Sequence, residues 1–130
     1  PSSLTDLHVE FGRNKNFTDL SFGKFATALP CSIRSLHLNF CCSGKLTDGS
    51  LQQLSTGLPK RLRALHIDLS MASMFTDAGL GTLSMALPTS LRTLYLDFAG
   101  SVSFTVKGLA TLSEALPQSL TVHIVTPVTT

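Results

Sequence analysis

Tryptophan is absent from this 130-residue sequence, tyrosine occurs once, and charged residues make up only 14%. Against roughly a quarter in an ordinary soluble domain, so low a charged fraction leaves part of the surface uncharged and suited to being covered by a partner. The formal charge is only +2, too little for bulk attraction to nucleic acid or an anionic membrane. Long apolar runs are missing as well. Although 43% of residues are hydrophobic, Ser, Thr, Asp or Gly interrupts them every few positions, and no window nears the roughly 18 apolar residues of a membrane span.

Cysteine is confined to Cys31, Cys41 and Cys42. An odd set with two adjacent members makes neither a disulfide framework nor a zinc spacing, so reduced thiols in an intracellular compartment are expected. The opening Pro1-Ser2-Ser3 carries no readable targeting signal. No nucleophile elbow, P-loop or dinucleotide fingerprint occurs, which points away from an enzyme and from a bound cofactor.

What the sequence does have is a repeat. Pro1, Pro30, Pro59, Pro88 and Pro117 stand 29 residues apart. In the same phase lie Leu4, Ile33, Leu62, Leu91 and Leu120, then Leu7, Leu36, Leu65 and Leu94, then Val9, Leu38, Ile67 and Leu96, then Phe11, Phe40, Leu69 and Phe98. Alternation over the middle of each unit predicts a strand with one apolar face. Phe17-Thr18, Leu46-Thr47, Phe75-Thr76 and Phe104-Thr105 follow, with Asp19, Asp48 and Asp77 next in the first three units. Thr or Asp there suits a helix N-terminus, so these residues are expected to be helix caps rather than catalytic acids.

Leu51, Leu54 and Leu58, with Leu80, Leu83, Leu87 and Leu109, Leu112, Leu116 in later units, fall on one helical stripe that the next proline ends. Units of about 1–30, 31–59, 60–88 and 89–117 and a partial fifth at 118–130 are thus each strand, loop, helix and turn. None can bury its apolar stripe alone. Stacking them predicts one α/β domain over 1–130, a solenoid with a parallel β-sheet on the concave face and helices on the convex face.

The pattern LxxLxL followed by LTDxGLxxLxxALP, clearest in FTDAGLGTLSMALP at 75–88, resembles the leucine-rich repeat, most closely the ribonuclease-inhibitor type. The resemblance covers four units and a fifth strand at 120–125. It implies a role in binding proteins. Such repeats usually tie down the loop with Cys or Asn just after the strand; here those positions hold Gly12, Cys41, Ser70 and Ala99. Pro1 has the phase of a helix-ending proline, and 126–130 supply no covering helix, so the chain is expected to be a fragment of a longer array or to have its ends covered by other chains.

On the outward side of the strands the repeat predicts three columns. Asp6, Ser35, Ala64 and Thr93 form one; His8, His37, His66 and Tyr95 the next; Glu10, Asn39, Asp68 and Asp97 the third. A one-residue deletion in the fifth strand brings His123 into the second. The expected partner-binding residues are Asp6, His8, Glu10, His37, Asn39, His66, Asp68, Thr93, Tyr95, Asp97 and His123. Asp68 and Asp97 are expected to be solvent-facing and replaceable at little cost to the fold.

Arg34, Arg63 and Arg92 make a further column before the strands, but without interleaved aromatics a nucleic-acid edge is disfavoured. The function expected is a non-catalytic protein-binding module using the concave sheet. A structural subunit buried in a large, even membrane-associated, assembly is the alternative, and a metal-dependent site on the histidine ladder comes after that.

Overall fold

The structure, a computed structural model, describes residues 4–12, 17–42, 45–72, 74–100 and 104–125. Its strands are β1 (Asp6–Glu10), β2 (Ser35–Asn39), β3 (Ala64–Asp68), β4 (Thr93–Asp97) and β5 (Thr121–Val125). Between them run α1 (Asp19–Thr27), α2 (Asp48–Gly57), α3 (Asp77–Ala86) and α4 (Val106–Ala115). All five strands join one parallel sheet in chain order. Each crossover between neighbouring strands carries a helix, as parallel pairing requires.

The alternation read from the sequence sets the faces. Leu36, Leu38, Leu65, Ile67, Leu94 and Leu96 are buried in one cluster with Leu51, Leu54, Leu80, Leu83, Leu109 and Leu112 of the helices. Leu7 and Val9 of β1, and Val122 and Ile124 of β5, are only half-buried against that core. The aromatic residues thicken one side of it. Phe11 stacks on Phe40 at 5.4 Å and meets Phe22 edge-on at 5.2 Å, so the strand ends and α1 share an aromatic cluster.

Each helix begins at a threonine. The Thr18, Thr47, Thr76 and Thr105 hydroxyls accept from the backbone N–H of Ser21, Gly49, Ala78 and Gly108, respectively. Each helix stops before a proline. Leu58, Leu87 and Leu116 cap α2, α3 and α4 with ψ of 132°, 133° and 144°, the extended backbone that a following proline imposes. The carbonyls of Pro30, Pro59, Pro88 and Pro117 then accept from the N–H of Ile33, Leu62, Leu91 and Leu120, closing a tight turn into the next strand.

The acids beside the threonines act differently from the expectation that they cap their own helices. Asp19 occupies the first helical position, and its carboxylate accepts from the Thr47 N–H (2.9 Å) and the Thr47 hydroxyl one unit on. Asp48 does the same to Thr76 and Asp77 to Thr105. Each threonine caps its own helix while each aspartate ties that helix to the next. The spacing leaves no room for a side chain beside the carboxylates: a Cβ on Gly79 or Gly108 would overlap Asp48 or Asp77.

Candidate functional site on the open sheet face

The helices cover one side of the sheet, and the other presents the outward residues of the strands. The register runs His8↔His37↔His66↔Tyr95↔His123, so four imidazoles and the one tyrosine do share a row. The first column is Asp6, Ser35, Ala64, Thr93 and Thr121, and the third is Glu10, Asn39, Asp68, Asp97 and Val125. His123 enters its row because β4 and β5 are related by 28 residues, where the other pairs are related by 29.

The row is tighter than strand spacing alone would make it. His8 and His37 lie 3.9 Å apart, centroid to centroid, and His37 and His66 3.8 Å apart, both within 11° of parallel. Adjacent strands are about 4.8 Å apart, so the rings tilt over one another to reach van der Waals contact. Tyr95 covers His66 at 4.1 Å with its ring turned 40°, and His123 stands off from Tyr95 at 6.3 Å. At the other end the His8 imidazole pairs with the Glu10 carboxylate at 2.5 Å, both side chains more than half exposed.

Stacking sets the electrostatics. His37 is pushed below the ordinary imidazole range, chiefly by burial, then by His66 and His8, against the pull of Glu10 and Asp68. His66 is lowered by burial first, with Asp68 and Asp97 opposing and His8 adding to the effect. Both are therefore neutral at pH 7, each with one N–H to donate and one ring nitrogen to accept. Face-to-face rings aim their nitrogens along parallel lines rather than at one point, and among the described residues no three His, Cys, Asp or Glu side chains are placed to hold a metal ion.

The third column is committed largely to the chain itself. Asn39 Oδ1 accepts from the Cys41 N–H at 2.8 Å, Asp68 Oδ1 from Ser70 N–H at 2.9 Å, and Asp97 Oδ1 from Ala99 N–H at 2.9 Å. These Asx turns bend the chain off each strand end. They correct the expectation that Asp68 and Asp97 are replaceable at little cost. The loop-tying role sought at Gly12, Cys41, Ser70 and Ala99 thus resides two residues earlier, and the only sequence signal for it was the short Asn or Asp in place of Glu10.

The arginine column lies at the opposite ends of the strands. The Arg34 guanidinium donates to the Ser32 carbonyl at 3.1 Å, and the Arg63 and Arg92 side chains are exposed. Thr93 and Asp6 are exposed and Ser35 half-exposed, leaving the first column short and polar.

No protein-family model matches this sequence, and no curated protein is significantly similar to it.

Proposed function

We propose that the chain is a leucine-rich-repeat solenoid that binds a protein partner, without catalysis, on the concave face of its sheet. The observation that carries this reading is the imidazole–phenol row. His8, His37, His66 and Tyr95 form a stacked aromatic strip with polar ring edges, with His123 standing 6.3 Å beyond Tyr95, whereas Asn39, Asp68 and Asp97 of the next column are bonded within the chain. Such a strip offers flat apolar area together with hydrogen-bond donors and acceptors, the combination enriched where proteins meet. The acids Asp6, Glu10, Asp68 and Asp97 bias it toward a polar or basic partner surface.

The 3.8–3.9 Å stacking keeps imidazole ligands parallel, which disfavours the metal-site alternative. The assembly-subunit alternative has its own support in Leu20, Met85 and Val106, helix residues 72%, 89% and 73% exposed, because apolar side chains on the outer layer suit a second covered surface. Co-purification with the intact protein separates the two. An exchangeable partner lost on His8, His37, His66→Gln replacement fits the binding module; a permanent stoichiometric set that survives it fits the assembly subunit and removes the concave-face proposal.

A further inference from the structure

The turn that leaves β2 differs from its counterparts in one respect. Cys42, Met71 and Gly100 occupy the same position in successive units, and all three have left-handed backbone, with φ of 64°, 57° and 70°. The geometry belongs to the repeat. The Asx turn fixes the residue before, and the Cys42 N–H donates to the Ser70 carbonyl at 3.1 Å as the Met71 N–H donates to Ala99 at 2.9 Å. Side chains of neighbouring residues on a strand point to opposite sides, but this turn brings positions 41 and 42 together. In the other described units the pair is Ser70-Met71 or Ala99-Gly100; here it is two thiols, with Sγ atoms 3.2 Å apart and both side chains half-exposed.

We propose that Cys41 and Cys42 form a reversible dithiol–disulfide site, oxidised by a small-molecule disulfide of the glutathione type. The thiolate of one cysteine attacks the reagent's S–S bond and expels one glutathione thiolate, leaving a mixed disulfide. The neighbouring thiolate then attacks the protein-bound sulfur, forms the Cys41–Cys42 bond and expels the second glutathione. Two protein thiols are oxidised and one glutathione disulfide is reduced to two thiols, each thiolate taking up a proton that a cysteine released.

The second step needs no search, since its reacting atoms are already in contact. The bond formed is strained: adjacent Cα atoms are about 3.8 Å apart across a trans peptide, inside the 4.4–6.8 Å usual for disulfides. Strain raises the reduction potential, and the labile, regulatory disulfides are of this kind, whereas structural ones resist reduction. Before oxidation Cys41 is held in its thiol form, which slows its own attack without blocking closure. The Ser70 hydroxyl bonds its sulfur and favours the thiolate, but burial, Cys42 and the Asp68 carboxylate outweigh it and leave the thiol raised above its ordinary value. Cys31, exposed and remote in sequence, takes no part.

The test is thiol counting and intact mass on the full chain after incubation with oxidised glutathione and blocking of remaining thiols. Wild type and Cys31→Ser should each lose the Cys41 and Cys42 thiols with no glutathione retained on either, exposed Cys31 being free to take one up on its own, and recover both on mild dithiol reduction. Cys41→Ser and Cys42→Ser should stop at the mixed disulfide. A wild-type chain that keeps glutathione on Cys41 or Cys42, links to a second chain through them, or retains both thiols overturns the proposal, as does closure that survives dithiothreitol.

Discussion

Two columns of this molecule recur with the same period and both carry polar side chains, yet they end in opposite states. At the helix starts, Asp19, Asp48 and Asp77 each reach a threonine of the next unit. On the open sheet face, His8, His37 and His66 meet one another through their ring faces, and His8 bonds sideways to Glu10 of its own strand. Repetition therefore does not by itself tell which polar column is bonded from unit to unit. What distinguishes them is whether the repeat brings a donor opposite an acceptor: aspartate meets threonine across the units, but imidazole meets imidazole.

The largest effect that can test the comparison comes from β3, where Leu65 and His66 point to opposite sides. Leu65 is 1% exposed, and Leu65→Ala is expected to cost ~2–5 kcal/mol in chemical denaturation. His66→Gln, one residue on, should stay within about 0.5 kcal/mol. Comparable losses from the two would abolish the division of the sheet into a covered and an open face.

Next in size is the column between the helices. Asp48→Ala strands the N–H and hydroxyl of half-buried Thr76, which is expected to cost ~1–3 kcal/mol; Asp68→Lys, which removes the acceptor for Ser70, belongs in the same range. A double-mutant cycle of Asp48→Ala with Thr76→Val should show coupling. Additive losses would mean that the aspartate serves only its own helix.

Much of this was legible in the sequence, for a physical reason. A 29-residue period with period-two alternation inside it leaves one way to bury the leucines, so the parallel sheet, the helix starts and the three outward columns follow from counting. The division of labour among polar residues did not. Asp19 and Thr18 are both good N-cap residues, and only the placement of one helix beside the next shows that the aspartate bonds outward. Asp68 and His66 look alike as outward strand residues; a carboxylate one bond from Cβ can fold back on the N–H two residues along, and an imidazole in mid-strand cannot. The left-handed turn at Cys42 was hidden because Met71, a poor residue for positive φ, holds the equivalent place.

Two glycines of α3 sharpen the comparison at smaller scale. A Cβ on Gly79 would press on Asp48 and lie 2.9 Å from Leu51 Cδ1, whereas one on Gly81 meets nothing within 4 Å. Gly81→Ala should therefore stabilise by about 0.5–1 kcal/mol through helix propensity alone. Gly79→Ala gains the same propensity but overpacks the Asp48–Thr76 contact at ~1–3 kcal/mol, and should be net destabilising. Thermal melts of the pair decide it: equal stabilisation would show that the aspartate can yield without loss.

The smallest effect concerns the imidazole row itself. Burial, first among the causes, holds His37 and His66 below their ordinary value of 6.5, so in the window from 6.5 down to the folded values the unfolded chain binds protons that the folded chain refuses. Stability must then fall with falling pH across that window and be fully present above it. Melting temperature measured from pH 7.5 to 5 should decline on the acid side, and the decline should be shallower in His37→Gln, His66→Gln. The groups that oppose the shift are on the same face, Glu10 and Asp68 for His37, Asp68 and Asp97 for His66. Removing Asp68 as Asp68→Asn, which keeps an acceptor for the Ser70 N–H, should therefore steepen the acid-side decline. A profile that is unchanged by both substitutions would mean that the stacked rings titrate as freely in the folded chain as in the unfolded one, and that the row is held together by its strands without electrostatic cost.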